Sequence, residues 1–207
     1  MALLRNTSTD IRQEIPAEDA ASLLAKLWDE SATTRRLVAR DLARFPEASH
    51  RLAERLEEES DSSVREAIIT SLAALADITA VTALIDCLHS EDAALRNDAI
   101  EGLKTAGGLY PSLIQEALQD GDPDVRILAI GVLESLRHPD VEQWLIDLLD
   151  HDAHLNVCAC AVDLLCEIGS GRAIPALERC SERFPNEEYL HFAVGLAIQR
   201  LQGEGTL

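Results

Sequence analysis

The chain has 207 residues, of which 47% are apolar and only 3% aromatic; alanine, leucine, isoleucine and valine supply the core material for one domain of closely packed helices. The formal net charge is −19, with residues 1–65 carrying ten basic and thirteen acidic side chains and the remainder eight and twenty-four. Such a surface repels phosphate backbones and anionic membrane faces, so it argues against nucleic acid and membranes as partners, and no stretch approaches the roughly 20 apolar residues of a membrane span.

Residues 1–16 are polar and irregular, without a secretory signal. They are expected to form a flexible leader that orders on a partner. From residue 17 the pattern becomes helical and repeats. Four segments align: Ser31-Ala-Thr-Thr34-Arg35, Asp61-Ser-Ser-Val64-Arg65, Asp92-Ala-Ala-Leu95-Arg96 and Asp122-Pro-Asp-Val125-Arg126, with arginines 30, 31 and 30 residues apart. Behind each arginine the apolar spacing recurs, as Val64, Ile68, Leu72 and Leu75, then Leu95, Ala99, Leu103 and Ala106, then Val125, Ala129, Leu133 and Leu136. Steps of four, four and three hold these side chains on one face of a helix.

A second amphipathic helix precedes each of these. It reads Val81, Leu84, Ile85 and Leu88, then Leu109, Leu113, Ile114 and Leu118, then Val141, Leu145, Leu148 and Leu149. The unit is therefore a helical hairpin of about 30 residues. Asp61, Asp92 and Asp122 stand where a helix N-cap belongs, and Pro123 occupies the first helical position, where a missing N–H costs nothing. Pro16, Pro46, Pro139 and Pro175 fall near the starts of the first helices.

Two further units extend the pattern. Val157, Ala161, Leu165 and Ile168 continue the core spacing and put Cys158 in the arginine position; a competing register, with Leu155 and Asn156 there, fits the later leucines less well. Leu190, Val194, Ile198 and Leu201 continue it again, with His191 in that position. Six hairpins over residues 17–202 and a disordered tail over 203–207 are expected. One hairpin cannot bury its own apolar face, so stacking is required.

The arrangement Asp-x-x-Val-Arg-x-x-Ala resembles HEAT repeats of the short, bacterial, phycobilin-lyase-like kind, and Gly171-Arg-Ala173-Ile174-Pro175-Ala176-Leu177 is similar to that family's first-helix signature. The resemblance covers nearly the whole chain. It implies an all-α, right-handed α-solenoid of about six HEAT-like hairpins. It also implies that Asp61, Arg65, Asp92, Arg96, Asp122 and Arg126 form a structural ladder between repeats, interrupted at Cys158 and His191.

In such folds the second helices line a concave face that grips partners. Projecting the pattern places Arg36, Arg40, Glu66, Thr70, Asn97, Glu101, Lys104, Ile127, Glu134, Asp163 and Phe192 on that face. Ile127, beside Gly131, is either an exposed apolar anchor or packed against the neighbouring repeat. Trp28 and Trp144 lie on first helices, where they pack or anchor a partner. Cys158 and Cys160 are two apart on a helix, so their side chains diverge by about 200° and do not share a metal. With Cys87, Cys166 and Cys180 they read as small core residues, a reactive thiol at Cys158 or Cys166 being the alternative. Five reduced cysteines suit a cytoplasmic protein. His151 and His154 flank Asp152 in a turn, read as a solvated loop rather than a metal site.

No catalytic constellation, phosphate loop, metal site or cofactor is expected. The best functional reading is a scaffold, adaptor or assembly factor that holds another cytoplasmic protein of basic or mixed surface. The alternative, implied by the resemblance alone, is a chromophore lyase or chaperone acting on a client protein. Oligomeric state is left open by the partly polar end repeats.

Overall fold

The computed structural model describes residues 19–203. Among them stand twelve α-helices in six hairpins, and no strand. α1 (Ala20–Lys26) pairs with α2 (Ala32–Leu42), α3 (Ser49–Glu58) with α4 (Ser62–Leu75), and α5 (Ile78–Asp86) with α6 (Ala93–Ala106). α7 (Pro111–Ala117) pairs with α8 (Pro123–Leu133), α9 (Val141–His151) with α10 (Leu155–Ile168), and α11 (Ile174–Arg183) with α12 (Glu188–Gly203). The leader expected over 1–16 lies outside the described residues. Of the tail expected over 203–207, Gly203 closes α12 and the rest lies outside them as well.

Each second helix packs on the one before it: α4 on α2, α6 on α4, α8 on α6, α10 on α8 and α12 on α10. The first helices α3, α5 and α7 make a parallel row that resumes with α9 against α11. Two rows of helices stacked hairpin by hairpin make an α-solenoid. The seam between the rows is the core. Val64, Ile68, Leu72, Ala99, Leu103, Val125, Ala129, Leu133, Val157, Ala161 and Leu165 are all buried there, facing Leu52, Val81, Leu84, Ile114, Leu145 and Leu149.

Helix starts follow from local chemistry. Asp61 accepts from the Ser63 and Val64 N–H groups, Asp92 from those of Ala94 and Leu95, Asp122 from that of Asp124, and Ser31 from that of Thr34. Each bond satisfies a donor without an intrahelical partner. Pro111 and Pro123 open α7 and α8, and Pro175 sits in the first turn of α11.

Three apolar positions read from the periodicity fall differently. Leu109 lies in the 3-10 turn before α7 and is 68% exposed, because the helix begins only at Pro111. Leu136 follows the end of α8 and is half-buried rather than part of it. Ile168, the last residue of α10, is exposed. At that helix end Gly169 is required: a Cβ there would lie 2.5 Å from the Leu165 carbonyl oxygen, whose bond from the Gly169 N–H closes the helix. Ala76 ends α4 in the left-handed region at φ 48°, a conformation that disfavours a side chain.

The arginine position recurs as a backbone register. The N–H groups of Arg35, Arg65, Arg96, Arg126 and Cys158 bond to the carbonyls of Ser31, Asp61, Asp92, Asp122 and His154, so the register with Cys158 in the arginine position is the one adopted. The side chains show two kinds of contact. One runs back six residues within the hairpin: Arg35 to the Asp29 carbonyl at 2.9 Å, Arg96 to Ser90 at 2.5 Å, Arg126 to Asp120 at 2.7 Å, and the Cys158 thiol to Asp152 at 3.4 Å. The other runs forward to the next hairpin. Arg35 grips Glu59, Arg65 reaches Asp92 at 2.6 Å, and Arg126 grips Asp152 with bonds of 2.7 and 3.1 Å.

The ladder therefore differs from the expected one in its rungs. Arg96 turns to its own hairpin's Ser90 carbonyl rather than to Asp122. The acceptors ahead of Arg35 and Arg126 are Glu59 and Asp152, which lie in the turns before the caps. Asp61 and Asp122 serve as caps only.

Candidate functional site

The register defines an outward row on the second helices, at the residue after the arginine position and four further on. It runs Arg36 and Arg40 on α2, Glu66 and Thr70 on α4, Asn97 and Glu101 on α6, Ile127 and Gly131 on α8, Ala159 and Asp163 on α10, and Phe192 and Leu196 on α12. Arg40, Glu66, Thr70, Asn97, Glu101, Asp163 and Phe192 are exposed, as is Glu134 one turn beyond the row. Arg36, Lys104 and Ile127 are half-buried. Ile127 packs against the core cluster, which favours the packing reading of that residue. The Arg36 Nε is buried with no hydrogen-bond partner, and Lys104 pairs with Glu101 at 3.2 Å.

Three row residues converge. Glu66, Thr70 and Glu101 rim a groove of ≈ 440 Å³ between α4 and α6, together with Asp98, over a floor that includes Ile69, Ala73 and Gly102. The floor is low because α6 sits close on both α4 and α5: a Cβ on Gly102 would lie 3.4 Å from Ile69 of α4 and 3.2 Å from Leu84 of α5. Burial, and then the nearby Glu66 charge, push the Asp98 carboxyl above its ordinary range. Asp163 is raised in the same way, by burial first and by Glu167 second. These carboxylates sit where a cation would relieve them.

The far end of the row is apolar. Tyr189, Phe192 and Leu196 are 67%, 70% and 52% exposed. Spaced three and four residues apart, they share one face of α12, opposite the buried Leu190, Ala193, Val194 and Ala197. The expected site contained only Phe192 of this trio. The exposure of Tyr189 and Leu196 follows from the same spacing, read on the side away from the core.

Elsewhere the expected side chains take structural roles. Trp144 is buried, with His138 stacked on it at 5.0 Å. Trp28 donates to Glu58 at 3.1 Å under the Arg51 guanidinium. His151 turns its Nδ1 to the Asp147 carbonyl, and Asp152 is taken up by Arg126. Among the described residues no group of three His, Cys, Asp or Glu side chains is arranged to hold a metal, and no helix is long and apolar enough to cross a membrane. All five cysteines are free; Cys158 and Cys180 are buried and Cys87, Cys160 and Cys166 half-buried. Burial pushes the Cys87 thiol up to about 11 and raises Cys160.

A family model for HEAT repeats matches residues 20–104 and 110–191. Among solved structures, two crystal structures of engineered proteins are similar at 19% and 18% identity, each with a TM-score of 0.45, covering 90% of this chain and 97% and 99% of theirs. The complex of CpcE and CpcF of phycocyanin lyase from Nostoc sp. PCC7120 is similar at 19% identity and a TM-score of 0.39, covering 91% of this chain and 98% of that one. No curated protein matches in sequence.

Proposed function

The chain belongs to the HEAT-repeat proteins, and from that premise we propose that it is a protein-binding scaffold holding a partner along the outward row of its second helices. The observation that carries the reading is the trio Tyr189, Phe192 and Leu196, exposed together at the end of that row. A cluster of large apolar side chains beside a polar, charged surface is the anatomy of an interface: buried anchors within a hydrated rim. The acidic middle of the row, at Glu66, Glu101 and Asp163 with Asp98 beside them, favours a partner of basic or mixed surface. The free thiols fit a cytoplasmic adaptor or assembly factor. No observation on the described residues favours the chromophore-lyase alternative.

The test is affinity capture from the native cell at moderate salt, run in parallel with the tagged wild type and with a Phe192→Arg, Leu196→Arg double variant. Both positions are exposed, so the variant should keep the helical spectrum and melting temperature of the wild type. The expected result is a stoichiometric protein partner on the wild type that is absent from the variant. A partner retained equally by both would remove the α12 face from the site, and capture of no protein would overturn the scaffold reading.

A further inference from the structure

Cys158 stands where the preceding hairpins carry an arginine, and its surroundings are rebuilt to suit. The cation comes from the following hairpin instead. Arg183, at the end of α11, donates to the Asp150 carbonyl at 2.7 Å and to the Leu149 carbonyl at 2.5 Å. On that path its Nη2 lies 3.6 Å from the Cys158 Sγ and 4.0 Å from the Cys180 Sγ. The two thiols, one on α10 and one on α11, thus both lie within 4.0 Å of one guanidinium nitrogen. Both side chains are fully buried, yet Arg183 itself is exposed, so the pair lies one side chain beneath the surface. The Arg183 bonds go to carbonyls, while the neighbouring Asp150 carboxylate is gripped by Arg179 at 2.9 and 2.8 Å. A positive charge thus faces two sulfurs.

From this geometry we propose that Cys158 and Cys180 form an oxidisable dithiol, which a peroxide converts to a disulfide joining the fifth and sixth hairpins. Buried thiols in apolar surroundings are inert, but one beside a cation gains thiolate character. The neighbouring Cys158 sulfur, and then the Arg183 charge, hold the Cys180 thiol below its ordinary range against its burial, while Cys158 is raised. Cys180 is therefore the attacking sulfur. Its thiolate displaces hydroxide from the peroxide O–O bond, giving a sulfenic acid, and the hydroxide takes up a proton to leave as water. The Cys158 sulfur then attacks the sulfenic sulfur. It loses its own proton, and the sulfenic oxygen departs as a second water. Two thiols are oxidised by two electrons and one peroxide is reduced to two waters. Cys87, Cys160 and Cys166 stand outside this pair and serve as internal references.

The experiment treats the full, reduced chain with limiting hydrogen peroxide, unfolds it, and alkylates the remaining thiols before mass spectrometry. The expected product carries three alkyl groups instead of five, weighs two hydrogens less before alkylation, yields a Cys158–Cys180 cross-linked peptide, and reverts with dithiothreitol. Cys158→Ser should leave a sulfenic acid at Cys180 that dimedone traps. Arg183→Gln, which keeps both thiols, should move the pH profile of oxidation upward. The proposal is overturned if peroxide first oxidises Cys87, Cys160 or Cys166, if any disulfide formed lacks Cys180, or if the pH profile is indifferent to Arg183. The mapping on the wild-type chain is decisive by itself, so a variant that folds poorly does not blunt the test.

Discussion

Arg35 on α2 grips Glu59, in the turn before α4, with two bonds of 2.7 and 2.9 Å, and the Glu59 side chain is wholly buried. Arg55 and the Asp61 N–H bond the same carboxylate, so three elements meet on one charge. Burial alone would raise this carboxyl; the bonds from Arg35, Asp61 and Arg55 overcome it and hold the group at about 2.

Glu59→Gln should therefore destabilise the fold by about 3 kcal/mol at neutral pH, because two arginines lose their buried partner. The pH dependence follows from the depressed value. The unfolded carboxyl titrates near 4.5 and the folded one near 2. The stabilisation is complete above the unfolded value and is lost as pH falls from about 4.5 towards 2. Urea unfolding at pH 7, 4 and 3 checks this: wild type should weaken more steeply over that interval than Glu59→Gln.

Ala76→Gly should raise stability by about 0.5–1 kcal/mol, or a melting temperature by about 1–4 °C. Ala76 holds φ at 48°, a strain glycine does not feel, and relief of it outweighs the greater freedom of glycine in the unfolded chain. A lower melting temperature would show that the Ala76 methyl contributes more to packing than its backbone costs.

Gly169→Ala and Gly171→Ala should separate cleanly. The first places a Cβ at 2.5 Å from a carbonyl oxygen, whereas at Gly171 nothing lies within 4 Å. A loss of about 1–3 kcal/mol is expected at Gly169 and almost none at Gly171. Equal effects in thermal unfolding would contradict the close approach.

Arg183→Gln removes donors from the Leu149 and Asp150 carbonyls. Hydrogen exchange should quicken in α9, α11 and α12 by about tenfold, with protection of α2, α4 and α6 unchanged, since stacked repeats open locally. Uniform loss of protection along the chain would mean that Arg183 supports the whole stack.

Much of the fold was legible along the chain because its causes are local. Asp61, Asp92 and Asp122 announce helix starts by chemistry confined to three residues, and the repeat of Val64, Ile68 and Leu72 as Val125, Ala129 and Leu133 shows which face is buried. The same logic located Cys158 correctly in the arginine position. The outward row was legible in part. Glu66, Thr70 and Glu101 meet around one groove, but half-buried Ile127 packs against the core instead of standing free, and Tyr189 and Leu196 went unread beside Phe192.

By itself, the sequence determined the helical hairpins, their register and their number, since capping bonds and a 3.6-residue period act within a turn or two of their own residue. Only the tertiary stack decided which partners those residues meet. Whether Arg96 turns back to Ser90 or forward, whether Arg35 finds Glu59, and whether Cys158 faces Cys180 under Arg183 depend on how one hairpin seats on the next. The contacts of Arg35 with Glu59 and of Arg183 with Cys158 join side chains more than twenty residues apart, and their geometry is set by the packing of whole helices.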